Sequence, residues 1–207
     1  MEPWKLGASL LGAGGAAGGG CLAYPHIFPE SKITILDELK SRNKSPITDN
    51  ESQWTLKKAL YDKSPNNLKI SIKGIEKTSI TVPELKEWCS SILKETYSPN
   101  KDSTLSKVEK WCLKPNIKEA LSKEDKQIIP FDEKSTNSSW SSKISSKTNE
   151  VQGDLINKWK LTPTTGSSSN TVSPEVLSNA CKEKIEAEYI SDTDEDYTLS
   201  KKWCLKD

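Results

Sequence analysis

The side chains in this 207-residue chain best suited to covalent or metal chemistry are five cysteines and a single histidine. Four of the cysteines form two pairs with one spacing: Cys89 and Cys112 are 23 positions apart, and so are Cys181 and Cys204. A zinc site would bring its sulfurs in as Cys-x2-Cys knuckles, of which there are none, and His26 is remote from all four. Thioredoxin-like redox work needs the same knuckle. Two readings remain: one disulfide per pair, or four reduced thiols packed as small core side chains. A disulfide across a loop of that size would add about 3 kcal/mol in the chain-entropy model, and would belong to an oxidising compartment.

Asp192, Asp194 and Asp196 have the alternate spacing that begins a calcium loop. Tyr197 stands where that loop needs Gly, and Trp203 where it needs a bidentate Glu, so the cluster reads better as acids beside a helix N-terminus. A hydrolase triad would need a His beside a nucleophile, and His26 lies in a Pro-flanked stretch. The N-terminal Gly run lacks the following Lys-Ser/Thr of a phosphate loop. No catalytic residue, metal ligand or cofactor is expected.

The elements that must position the sulfurs repeat. Leu85, Cys89, Leu93 and Tyr97, then Trp111-Cys112, recur as Leu177, Cys181, Ile185 and Tyr189, then Trp203-Cys204, each 92 positions on. One shift shared by six positions is the mark of an internal duplication. Spacings of four, widened by Trp88 and Ile92, predict a helix from Pro83 through Tyr97 with one apolar stripe. A second helix follows, from Ser103 or Thr104 to Lys114, so each unit is a helical hairpin with its two cysteines facing each other. Leu121 matches Leu39 at a shift of 82 and Trp140 matches Trp54 at 86, so the copies differ by loop insertions. Elsewhere in the first copy, residues 33–40 predict a short helix with Ile33, Leu36 and Leu39 inward. Trp54 and Tyr61 share a face of a helix over 52–63. Leu68, Ile70 and Ile72 alternate as in a short strand. In the second copy, residues 134–149 and 162–173 are Ser/Thr/Asn-rich and are expected to be mobile, with 155–161 ordered by Trp159. The last helix is expected over 198–205.

Hydrophobic residues are 33% of the chain and mean hydropathy is −0.66, yet there are seven Trp. This composition predicts small units with thin, Trp-based cores. Thirty basic residues balance twenty-nine acidic ones, and Arg42 is the single Arg. A nucleic-acid binder would show a basic surplus and more Arg, so that class is set aside. Residues 6–23 are eighteen uncharged positions, seven of them Gly. As a helix they would span about 27 Å, marginally enough for a hydrocarbon core, and so Gly-rich a helix would be unstable in water. The segment is therefore expected to meet a membrane, as an anchor or as a signal peptide, with Cys21 a weak lipid-attachment candidate.

The boundaries that follow are 1–24 for the signal or anchor, 25–32 for a tether containing Pro25 and Pro29, 33–115 for the first unit and 116–207 for the second. The fold class is mainly α: two tandem small helical units with at most a short strand or hairpin, after an N-terminal apolar helix.

Leu85-Lys86-Glu87-Trp88-Cys89, Val108-Glu109-Lys110-Trp111-Cys112 and Lys202-Trp203-Cys204, behind a small-residue segment that opens with Lys5-Leu6-Gly7, resemble the motifs of a large paralogous family. That family comprises surface and membrane proteins of the haemotropic mycoplasmas, wall-less bacteria attached to red blood cells. The resemblance covers nearly the whole chain, and the repeated Trp-Cys ends are its most specific part. Ala180-Cys181 departs from the family's Trp-Cys, so the second stripe is expected to pack less tightly. The resemblance carries no activity; it implies surface display and antigenic diversity. The expectation is a membrane-anchored, extracytoplasmic, non-enzymatic interaction or antigenic module at the cell surface, with a host or surface protein as partner. Its rival is a cytoplasmic-facing scaffolding protein with free thiols.

Overall fold

Side-chain caps decide where most helices begin. Thr34 opens α1 (Ile35–Ser41) with a reciprocal capping box: its hydroxyl accepts from the Asp37 amide while Asp37 bonds back to Thr34. Asn50 caps α2 (Glu51–Asp62), and Thr81 with Glu84 forms a second capping box on α3 (Val82–Ile92), which carries Pro83 in its first turn. α4 (Asp102–Cys112) returns from α3, and α5 (Ile117–Leu121) starts at once on Asn116. α6 (Ser138–Ser146) and α7 (Thr148–Val151) lead into a π-helical turn, Gln152–Lys158. Ser173 caps α8 (Pro174–Lys184), and Asp194 caps α9 (Glu195–Trp203).

The computed structural model describes residues 32–100, 102–131, 138–164 and 171–207. Among them the fold is mainly α, and the one sheet is a hairpin of β1 (Ser71–Ile72) and β2 (Ile75–Glu76). Lys73 and Gly74 turn it with φ of 51° and 79°, the two positive angles of a type I′ turn, which Gly adopts without steric cost. The apolar N-terminal helix expected over 6–23, with Cys21 and His26, lies outside the described residues. Residues Ile33–Asp207 form one compact unit.

Two apolar clusters follow the two copies. One gathers Leu39, Tyr61, Leu85, Val108 and Trp111 around Cys89–Cys112. The other gathers Leu121, Trp140, Leu155, Leu177 and Trp203 around Cys181–Cys204, and also takes in Leu56 from α2. Helix α2 thus serves both cores, and Leu60 touches each.

Several expectations are corrected. The helix expected through Tyr97 ends at Ile92, because residues 93–97 leave it to bond with the chain before α1: Tyr97 N donates to Ile33 O at 2.8 Å and Ile35 N to Glu95 O at 3.0 Å. Ile33 therefore precedes its helix and lies 56% exposed, and the inward residues of α1 are Ile35 and Leu39. α4 and α9 begin and end earlier than expected. Of the loop expected over 134–149, residues 138–149 are largely helical, and the helical stretch runs on to Val151, since burial of Trp140, Ile144 and Val151 outweighs the weak preference of Ser and Asn for helix. The apolar alternation around residue 70 is a hairpin preceded by the 3-10 turn Asn66–Leu68.

The second stripe also packs more tightly than the first. Leu177, Cys181, Ile185 and Tyr189 are all buried, whereas Trp88, Leu93 and Tyr97 are half-buried at the margin of the first core. The reason is α2, which lays Leu56 on the second core and offers the Gln53 amide to Tyr189 O at 2.6 Å.

Candidate functional site

The cysteines pair within each copy. Cys89 and Cys112 are joined with Cα atoms 5.5 Å apart, and Cys181 and Cys204 with Cα atoms 5.6 Å apart. All four are buried. Each pair ties the middle of the striped helix to the end of the next one. The same frame then repeats bond for bond. Ile47 N donates to Cys112 O and Ile129 N to Cys204 O, both at 2.9 Å; Lys114 N donates to Ser45 O and Lys206 N to Gln127 O. Ile35 N donating to Glu95 O is matched by Ile117 N donating to Ala187 O. In every pair one partner is shifted by 82 and the other by 92, so the loop insertions left the hydrogen-bonded closure untouched.

The tryptophans beside the sulfurs are core residues. Trp111 and Trp203 are buried, and each indole N–H has an acceptor: Leu68 O at 2.8 Å for Trp111, and Asp154 Oδ2 at 3.1 Å for Trp203. The second copy has no hairpin in the described residues at the place of β1–β2. Its π-helical turn supplies the Asp154 carboxylate in place of a main-chain carbonyl. Burial alone would raise the Asp154 pKa, but bonds from Lys202 and Trp203 outweigh it and hold it below the usual carboxylate range.

Sequence reasoning missed the junction between the copies. Lys57 on α2 is almost completely buried and donates to Lys110 O at 2.8 Å and Glu119 Oε2 at 2.9 Å. Glu119 also takes Lys110 at 2.8 Å, so one carboxylate of the second copy binds two lysines of the first. Burial depresses the Lys57 pKa, and the attraction of Glu119 recovers only part of it. Nothing at position 57 marks it in sequence, where Lys is ordinarily a surface residue. Gln53 donates to Glu188 Oε1 at 2.8 Å, and Asn50 to Ile190 O at 3.1 Å.

Beside this seam lies a cleft of about 350 Å³, between α2 (Glu51, Ser52, Thr55, Leu56, Ala59) and the segment after α8 (Tyr189, Ser191, Asp192, Thr193), with Lys123 also lining it. The Lys123 ammonium binds Asp192 and sits 5.6 Å and 5.1 Å from the centres of the Tyr189 and Tyr197 rings. Tyr189 OH donates to Asp192 Oδ1 at 2.8 Å, and Tyr197 OH to Glu124 Oε1 at 2.9 Å. Burial first, then these carboxylates, pushes both phenols well above the usual tyrosine range, so they stay protonated donors. Burial would raise Asp192, but the bonds from Lys123 and Tyr189 prevail and hold it ionised.

The three spaced aspartates go to three different tasks. Asp192 is bound as above, Asp194 caps α9 at the Tyr197 amide, and Asp196 accepts from Trp159 and Lys184. Among the described residues no group of three His, Cys, Asp or Glu is placed to hold a metal ion.

The fold and this frame define a mainly helical protein made of a duplicated, disulfide-clipped unit. No family model, curated protein or solved structure matches the chain.

Proposed function

We propose that this chain is a membrane-anchored extracytoplasmic protein without enzymatic activity, whose folded part is a surface interaction module of the kind its mycoplasma-like motifs imply. The observation that carries the reading is the pairing of the four buried cysteines at equivalent places in both copies. Two structural disulfides belong to a compartment that does not reduce them. Attachment in this reading rests on residues 6–23; among the described residues no helix is long and apolar enough to cross a membrane. Interaction is favoured over catalysis because the buried polar groups at the junction are engaged in ion pairs and helix caps, which orient surfaces rather than activate a nucleophile.

The test uses intact cells. Protease added outside should remove the Lys-rich region, and alkylation of the denatured, unreduced protein should find one free thiol at most, Cys21. Full protection together with five free thiols would place the folded part on the cytoplasmic side, as the scaffolding alternative requires.

A further inference from the structure

We propose that the cleft between α2 and residues 189–193 binds a neutral pyranose sugar. The inference deepens the reading of the chain as an interaction module, but it concerns the folded part alone.

The cleft has the attributes of a small-ligand site rather than of a packing defect. Its volume of about 350 Å³ falls at the lower end of the usual range for such sites, and it lies between the two copies. Its surface is more apolar than polar, with Ala59 on α2 beside the edges of the buried Leu56 and Tyr189, and hydroxyls and carboxylates are distributed along both walls.

Charge selects the ligand class. The cation in the lining is Lys123, already committed to Asp192 and to two tyrosine rings, while Glu51 and Asp192 are both acidic. Glu51 gives one oxygen, Oε2, to Lys86 at 2.5 Å. A phosphate or a carboxylate ligand would meet more negative charge than positive. An alkyl chain would bury the hydroxyls of Ser52 and Thr55, which bond to nothing among the described residues, and an unmatched polar group is costly to cover. A sugar ring avoids both penalties. Its C–H face can lie on Ala59 and the edge of Leu56, while its hydroxyls donate to carboxylate oxygens and exchange bonds with side-chain hydroxyls. Asp192 is suited to this: Lys123 and Tyr189 both bind Oδ1, and Oδ2 has no partner among the described residues, on a side chain 64% exposed. Ser191 and Thr193 already exchange a hydrogen bond at 3.2 Å on the opposite wall, a pair able to turn outward to a ligand.

Saturation-transfer NMR on the full chain, held in a detergent without a sugar head group, tests this with methyl glycosides of glucose, galactose, mannose and N-acetylglucosamine. At least one should receive saturation on its ring protons. The double variant Ser52→Ala/Thr55→Val removes two hydroxyls at nearly constant volume on exposed or half-exposed helix positions. It should weaken that ligand about thirtyfold, the usual net worth of two neutral hydrogen bonds. Thr55→Trp, at an exposed position, should fill the cleft and abolish transfer while leaving the helical circular dichroism unchanged. No transfer to any of the four glycosides overturns the proposal, as does transfer that survives Thr55→Trp, or inorganic phosphate or an acidic peptide binding where the sugars do not. Because the protein is purified, none of these outcomes depends on its address in the cell, and the cell-surface test does not depend on sugar binding.

Discussion

Removing one sulfur clip at a time tests whether the two copies are energetically equivalent. Each disulfide closes a loop of 23 residues. The chain-entropy model depends only on that length, so Cys89→Ala/Cys112→Ala and Cys181→Ala/Cys204→Ala should each destabilise by about 3.4 kcal/mol. For a folded part of this size that corresponds to a fall in Tm of about 7–14 °C. Because α2 contributes Leu56 and Leu60 to the second core and Trp54 and Tyr61 to the first, loss of either clip should lower one common transition. Differential scanning calorimetry of the full chain in detergent reads both the size and the number of transitions. Two separated transitions would refute the idea of a shared helix. Falls that differ by more than about 3 kcal/mol, or that amount to less than about 1 kcal/mol, would show that native-state strain or residual structure in the unfolded chain outweighs loop entropy.

Glu119→Gln leaves Lys57 buried without its carboxylate and should cost about 3–5 kcal/mol near neutral pH, by analogy with other broken buried pairs. The folded-state pKa of Lys57 lies below its unfolded value of 10.5, so between the two the unfolded chain binds more protons and stability rises with pH. Without Glu119 the folded pKa falls further, so the deficit of Glu119→Gln should shrink as pH rises from the variant's folded pKa to the native one and stay level above it, and a deficit independent of pH throughout in urea titrations would count against a charged Lys57. Ser200 is fully buried, its hydroxyl has no partner among the described residues, and its equivalent 92 positions earlier is the buried Val108. Ser200→Val should stabilise by about 1–2 kcal/mol in denaturant melts, the cost of an unmatched buried hydroxyl. Asp154→Ala strips the acceptor from Trp203 Nε1 and should cost about 1–3 kcal/mol, seen also as a change in indole fluorescence.

The sulfur frame was legible because it is a matter of integers: a shift of 92 and a spacing of 23 survive whatever surrounds them. The ends of the helices were less so. Leu93 and Tyr97 continue the four-residue stripe of α3, but the chain leaves the helix after Ile92, held by main-chain bonds to residues 33–36 that no side chain announces. Ile33 was misplaced for the same reason, since Thr34 with Asp37 caps the helix one residue after it. In residues 138–149, Ser-rich composition points to a loop, while the apolar anchors Trp140, Ile144 and, just beyond, Val151 decide the outcome. The junction was hidden most completely. Lys57, Lys123 and Gln53 look like surface residues, and their roles depend on partners 53 to 136 positions away.

One consequence lies in the join itself. Leu113 bridges to Pro46 to finish the first closure, and Asn116 bridges to Glu188 to begin the next, while Pro115 between them accepts from Tyr189 N at 2.9 Å. Lys114 N also donates to Ser45 O, so each of residues 113–116 is bonded to another segment and no free linker separates the copies. The twin surfaces are held together by main-chain bonds at the join rather than strung on a linker. A bivalent binder that grips both halves at once would meet a ruler rather than a leash.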